Sequence, residues 1–269
     1  MNMFKTIKEY YKENNKKTLT IYIILRLLVI LSLVLQIFRG NWNNAFLCFS
    51  TLVLFTIPYF LDKKFKIALP NVLETIILLF IFSAQILGEI QNFYGTFKHW
   101  DTMLHTLNGF LCAAIGFSLI DILNRNEKVH MMLSPLFVAI IAFSFSMTIG
   151  VLWEFLEFGM DQFTQTDMQK DRVIQSISTV ELHPEGKNIP VKIDNINNTE
   201  INYLDENNNL NKIIIPNGYL DIGLIDTMKD LLVNFVGAIV FSFIGYLYIL
   251  NRDNYKFAEN FIPKIRNKK

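Results

Sequence analysis

Six blocks of apolar residues, each long enough to cross a bilayer, alternate with short polar stretches along this chain. They cover residues 19–38, 44–61, 71–90, 101–123, 132–158 and 226–250. A spanning helix needs ~20 predominantly apolar residues for a hydrocarbon core ~30 Å thick. The blocks are apolar all round, without the single stripe of a helix lying on a soluble core. They predict an all-α polytopic membrane protein with about six transmembrane helices. The first block exceeds a signal-peptide core and no small-residue cleavage site follows it, so it is expected to remain as an anchor. Arg26 interrupts that block and is expected to snorkel or to pair with an acid on a neighbouring helix.

Between the fifth and sixth blocks the pattern changes. Residues 162–225 are rich in Asn, Asp and Glu, and short β-prone runs at 172–180, 189–193, 201–204 and 212–215 are separated by Pro-Glu-Gly and Asn-Asn clusters. This stretch reads as a small β-rich or irregular cap. The chain thus divides into residues 1–161 with five spans, the insertion 162–225, and residues 226–269 with the sixth span and a basic tail.

Basic residues set the expected orientation. Lys5, Lys8, Lys12, Lys16, Lys17, Lys63, Lys64, Lys66, Arg125, Lys128 and the tail from Arg252 to Lys269 fall on one side, against Arg39 and Lys98 in the short loops of the other. The positive-inside rule then puts both termini in the cytoplasm and the insertion outside the cell membrane.

Composition narrows the picture. The chain has 269 residues, 52% of them hydrophobic, and a net charge of +1, so no basic surface argues for a nucleic-acid partner. Its two cysteines, Cys48 and Cys112, lie inside apolar blocks without metal-ligand spacing and read as buried structural residues.

Chemistry is suggested where polar residues return at the ends of three blocks. Asp101, His105 and Asn108 stand at i, i+4, i+7 of the fourth, and Glu154, Glu157 and Asp161 at i, i+3, i+7 of the fifth, beside Trp153. Asp226, Asp230 and Asn234 stand at i, i+4, i+8 of the sixth, with Gly237 on the same stripe. Each set shares a helix face, and all three ends lie on the side assigned to the insertion. Carboxylates inside a span are costly and mark function by default. Two such charges ~4 Å apart repel by ~4 kcal/mol at an effective dielectric of ~20, so a cluster of the six acids needs protons, cations or water for relief. A divalent ion (Mg, Mn, Ca or Zn) held by Asp101, His105, Glu154, Glu157, Asp161, Asp226 and Asp230 is one answer. A proton or ion relay and a structural polar network are the others.

The segments D-T-M-L-H-T-L-N-G-F (101–110), W-E-F-L-E-F-G-M-D (153–161) and D-T-M-K-D-L-L-V-N-F-V-G-A (226–238) resemble the YjdF-type inner membrane proteins, a family of unknown function. They are also similar to the VanZ-like membrane proteins, a group linked by name to glycopeptide (teicoplanin) resistance. The resemblance implies a cell-envelope role centred on Asp101, His105, Glu154, Glu157, Asp230, Asn234 and Gly237. Together these features lead to an outward-facing acidic and histidine site that acts on or binds a membrane lipid or lipid-linked headgroup. If it is catalytic, His105 and the carboxylates hold the metal and Glu154 or Glu157 serves as general base; Asn108, Trp153, Asn234 and Gly237 support them. The alternatives are a proton- or cation-coupled transporter, and a non-catalytic accessory protein in envelope stress or glycopeptide tolerance.

Overall fold

The computed structural model describes residues 16–65, 67–124, 132–164 and 166–265. Most of the basic residues that orient the chain (Lys5, Lys8, Lys12, Lys66, Arg125, Lys128, Arg266, Lys268 and Lys269) lie outside them. Six helical segments are long and apolar enough to cross a membrane: Lys16–Phe38, Trp42–Lys64, Asn71–Ile90, Trp100–Asn124, Pro135–Thr164 and Leu224–Leu250. They coincide with the six apolar blocks.

The differences have local causes. The second segment is two helices, α2 (Trp42–Leu54) and α3 (Ile57–Phe65), following α1 (Lys16–Phe38). The Thr56 hydroxyl bonds the Val53 carbonyl at the break, and Pro58 sits in the first turn of α3, where its missing N–H costs nothing. The third segment runs as α4 (Asn71–Phe82) and then as a π-helical stretch, Ser83–Ile90. A short α5 (Phe93–Thr96) leads to α6 (Trp100–Asn124). The next helix, α7 (Pro135–Thr164), begins at a proline for the same reason as α3 and reaches well past Phe158. The last is α8 (Leu224–Leu250).

The residues fall into two compact units. The first, Met1–Val151 with Asp230–Lys269, holds most of the helical part. One core gathers Tyr22, Val29, Cys48, Phe55 and Leu78 from the first three segments; a second gathers Ala113, Phe117, Val138, Ala142, Ala238 and Phe241 from α6, α7 and α8. The chain after α8 folds back on this second core. Ala258 and Ile262 are buried in it, Phe261 meets Phe110 edge-on at 5.3 Å, and a strand at Lys264–Ile265 pairs with β1 (Ile67–Ala68). Arg26, in α1, donates to the hydroxyl of Tyr22 one turn away and lies over its ring.

The second unit, Leu152–Lys229, takes in the last turns of α7 and the start of α8 along with the insertion. Antiparallel pairs form β2 (Arg172–Ile174) with β7 (Tyr219–Asp221), β3 (Ser176–Thr179) with β4 (Val191–Asp194), and β5 (Asn198–Leu204) with β6 (Leu210–Pro216). The turn between β5 and β6 is built on Asp205, whose carboxylate accepts the amides of Asn207 and Asn209 at 2.9 Å while Asn208 takes φ +61°. The insertion is therefore β-rich, as its alternation of β-prone runs and turn residues predicts.

Candidate functional site

In the first unit the fourth and sixth spans approach unusually closely, because glycine faces backbone. A side chain at Gly109 would strike the carbonyl of Asn234, and one at Gly237 the carbonyl of Thr106. Small residues at helix contacts let membrane spans close to backbone distance. Asn234, 1% exposed, uses the space. It accepts from the Asn108 amide at 3.3 Å, its own amide points at Met147 Sδ at 3.6 Å, and a side chain at Gly150 would meet that amide at 2.7 Å. The Ser146 hydroxyl closes the junction on the Gly109 carbonyl at 2.8 Å. Asn108, Asn234 and Gly237, the residues expected to support the site, lie at this junction. Gly109 and Ser146 join them unannounced, since a glycine and a serine inside an apolar block look like ordinary span residues.

One turn along from this junction, the two helices bring Asp101, His105 and Asp230 together. His105 Nε2 lies 3.4 Å from Asp101 Oδ1 and 4.0 Å from Asp230 Oδ2. One ligand atom from each of the three lies within 4.8 Å of the others. Two ligands each ~2.1 Å from one ion stand at most ~4.2 Å apart, so both measured separations suit a shared cation. Asp230 is 2% exposed and His105 12%. An imidazole beside two carboxylates can serve them as a hydrogen-bond donor, a protonated counter-charge or a co-ligand.

In the second unit the remaining acids have their own partners. Asp161 Oδ1 accepts from the Thr166 hydroxyl at 2.8 Å and the Met168 amide at 2.7 Å, and Oδ2 from the Gln169 amide at 2.8 Å. Asp226 accepts from the Lys170 amide at 3.0 Å and forms an ion pair with Arg172 at 2.8 Å, with Lys229 Nζ 4.0 Å away. Gln169 bonds Thr227 at 2.5 Å. Asp161 and Asp226 therefore tie residues 166–172 to the end of α7 and the start of α8, which gives each a structural occupation that helical spacing does not reveal. Glu154 and Glu157 are buried, and Trp153 Nε1 donates to Glu157 Oε1 at 2.7 Å. Helix geometry supplies that i, i+4 contact.

Among the described residues, three further acids are buried. Asp121 pairs with Arg252 at 2.9 Å, and Arg252 also covers the Tyr248 ring. Asp62 and Glu74 are buried in the first three segments. Nothing in their spacing marks these two, because each stands alone at the end of an apolar block.

These features identify a polytopic membrane protein with a polar site between its fourth and sixth spans. The chain belongs to the family described as "predicted membrane protein (DUF2238)", whose sequence profile matches residues 18–251. That range takes in all six spans and the insertion. No curated protein and no solved structure matches the chain.

Proposed function

We propose that the protein binds a divalent cation at Asp101, His105 and Asp230, and that the bound ion engages the headgroup of an envelope lipid or lipid-linked intermediate. The observation that carries this reading is the convergence, from two spans, of two carboxylates and one imidazole at separations an ion could bridge. A bound ion would polarise a phosphate or activate water. His105 would present Nε2 as a neutral ligand, Asp230 would supply charge from a buried position, and Asp101, 24% exposed, would leave the site open to a ligand. On sequence grounds Glu154 or Glu157 is the proposed base. The motif likeness to YjdF-type and VanZ-like proteins supports a role in the envelope, and the distribution of basic residues supports cytoplasmic termini with the site facing outward.

The test is metal content and thermal stability of the purified full-length protein. Wild type should carry about one equivalent of a divalent ion and melt lower after chelation, because a ligand bound only by the native state stabilises it. Asp230→Asn and His105→Ala should lose the ion. A wild type that binds none of Mg, Mn, Ca or Zn, and whose midpoint ignores chelator, overturns the proposal. Labelling single cysteines placed within 195–211 in intact cells checks the orientation: reaction only after lysis would invert it.

The buried Asp62 and Glu74 give some support to a cation or proton relay as the second reading, since they place carboxylates in other spans of the same unit. Metal- or proton-driven flux into proteoliposomes, abolished by Glu74→Gln, would favour that reading.

A further inference from the structure

A groove of about 470 Å³ runs along the membrane unit between α6 and α8, lined by His99, Thr102, Thr106 and Phe110 on one side and by Gly237 and Val240 on the other. At ~100° per residue, Thr106 and Phe110 occupy the side of α6 away from Asp101 and Asn108. The groove lies beside the proposed cation site and shares Gly237 with the junction next to it. Gly237 lets α8 close against the Thr106 carbonyl, and the groove lies alongside that contact.

Its dimensions decide among occupants. His99 to Phe110 is eleven residues, or ~16 Å of helix, which matches one leaflet of a ~30 Å hydrocarbon core. A single hydrocarbon chain fits. The far end is closed by Phe110, held edge-on between Phe241 at 5.0 Å and Phe261 at 5.3 Å. His99 lines the near end, and the exposed Lys98 precedes it in the chain.

We infer that this groove is a lipid site that takes one acyl chain of an anionic phospholipid, with the phosphate at Lys98 and His99 and the chain end on Phe110. It draws its lipid from the leaflet at the His99 end, the outer one in the orientation proposed above. Because Met103 and Val240 are exposed, Met103→Trp and Val240→Trp fill the groove without disturbing the core.

The experiment is native mass spectrometry of the full-length protein, titrated with phosphatidylglycerol and, separately, with phosphatidylcholine of the same chains. Wild type should retain one phosphatidylglycerol about tenfold more tightly than phosphatidylcholine. Met103→Trp and Val240→Trp should lose that bound lipid while melting as wild type does. The Lys98→Glu, His99→Glu double variant should keep chain binding and lose the headgroup preference. Equal retention of both lipids by wild type, or unchanged binding in both tryptophan variants, overturns the inference. So does a dimer that Met103→Trp dissociates, which would assign the groove to a second copy of the chain.

Discussion

Asp226 and Asp230 stand one turn apart on the same helix, yet the two ends of that turn are built for different purposes. Asp226 meets Arg172, a backbone amide and Lys229. Asp230 meets His105, with Asp101 beyond it. A guanidinium keeps its proton at any pH a protein survives, whereas an imidazole gives its proton up near neutrality. The first pair is thus a permanent tie and the second can change state. A carboxylate face read from helical period alone treats the two acids as equivalent; their partners separate them.

The largest effect should come from removing a carboxylate at the exchangeable end. Loss of groups that merely orient a metal ligand typically costs ~10–100-fold in affinity. Asp230→Asn, which removes a proposed ligand, should cost at least ~100-fold, read by titration of the apo protein with Mn or Zn. Asp226→Asn should leave metal affinity within about twofold of wild type. If Asp226→Asn abolishes binding as fully as Asp230→Asn does, the distinction between the two acids fails.

Stability should show the reverse order. Asp226→Asn deprives Arg172 and the Lys170 amide of a charged acceptor. Hydrogen bonds to charged groups contribute ~1.5–3 kcal/mol, but Arg172 is 40% exposed, and solvent screening reduces this to about 1 kcal/mol. Hydrogen exchange at residues 170–172 should rise about fivefold, since ~1.4 kcal/mol corresponds to tenfold. Arg172→Ala should match it. Exchange unchanged in both variants would show that this pair holds nothing.

The fold was legible in the sequence because membrane spans announce themselves through length and hydropathy, and because the β-prone runs of the insertion are punctuated by turn residues. The three polar faces were legible as well, through helical period. Their partners were not. Arg172 lies 54 residues from Asp226, and no periodicity connects them. Nor does an apolar block show which of its glycines faces a neighbouring backbone: Gly109 and Gly116 look alike, but one meets the Asn234 carbonyl and the other the Phe145 ring.

That close approach predicts an indirect effect on the site. Gly109→Ala would press a methyl group against the Asn234 carbonyl, and overpacking of this kind costs ~1–3 kcal/mol. The separation of α6 and α8 must grow, which moves His105 from Asp230. Metal affinity should fall about tenfold while the pH dependence of binding keeps its shape, because no titrating group is lost. Gly159→Ala, where a side chain would meet nothing, is the control and should leave both unchanged.

Acidification should separate the two ends of the turn further. Ligation requires an unprotonated imidazole, so protons should compete with the ion for His105 and affinity should fall as pH is lowered. Protection at 170–172, read as protection factors because amide exchange itself slows in acid, should not follow that competition. Metal binding that does not weaken with acid at all would remove His105 from the proposed ligand set.

The smallest effect belongs to the turn between β5 and β6, where the acid faces solvent. The Asn209 amide, with that of Asn207 and the Asn209 and Asn211 side chains, holds the Asp205 carboxyl below its ordinary value. Its folded pKa is depressed, so its contribution is complete above the unfolded pKa of ~3.9 and is lost as pH falls through the lower folded value. Protection factors at Asn207 and Asn209 should therefore begin to fall only below about pH 4. Asp205→Ala should abolish that acid-dependent step and raise exchange of the two amides already at pH 7, without altering exchange at 170–172. A step that persists in Asp205→Ala would trace to another acid of the insertion, for which Asp194, depressed by the Ser176 hydroxyl and by Lys192, is the next to replace.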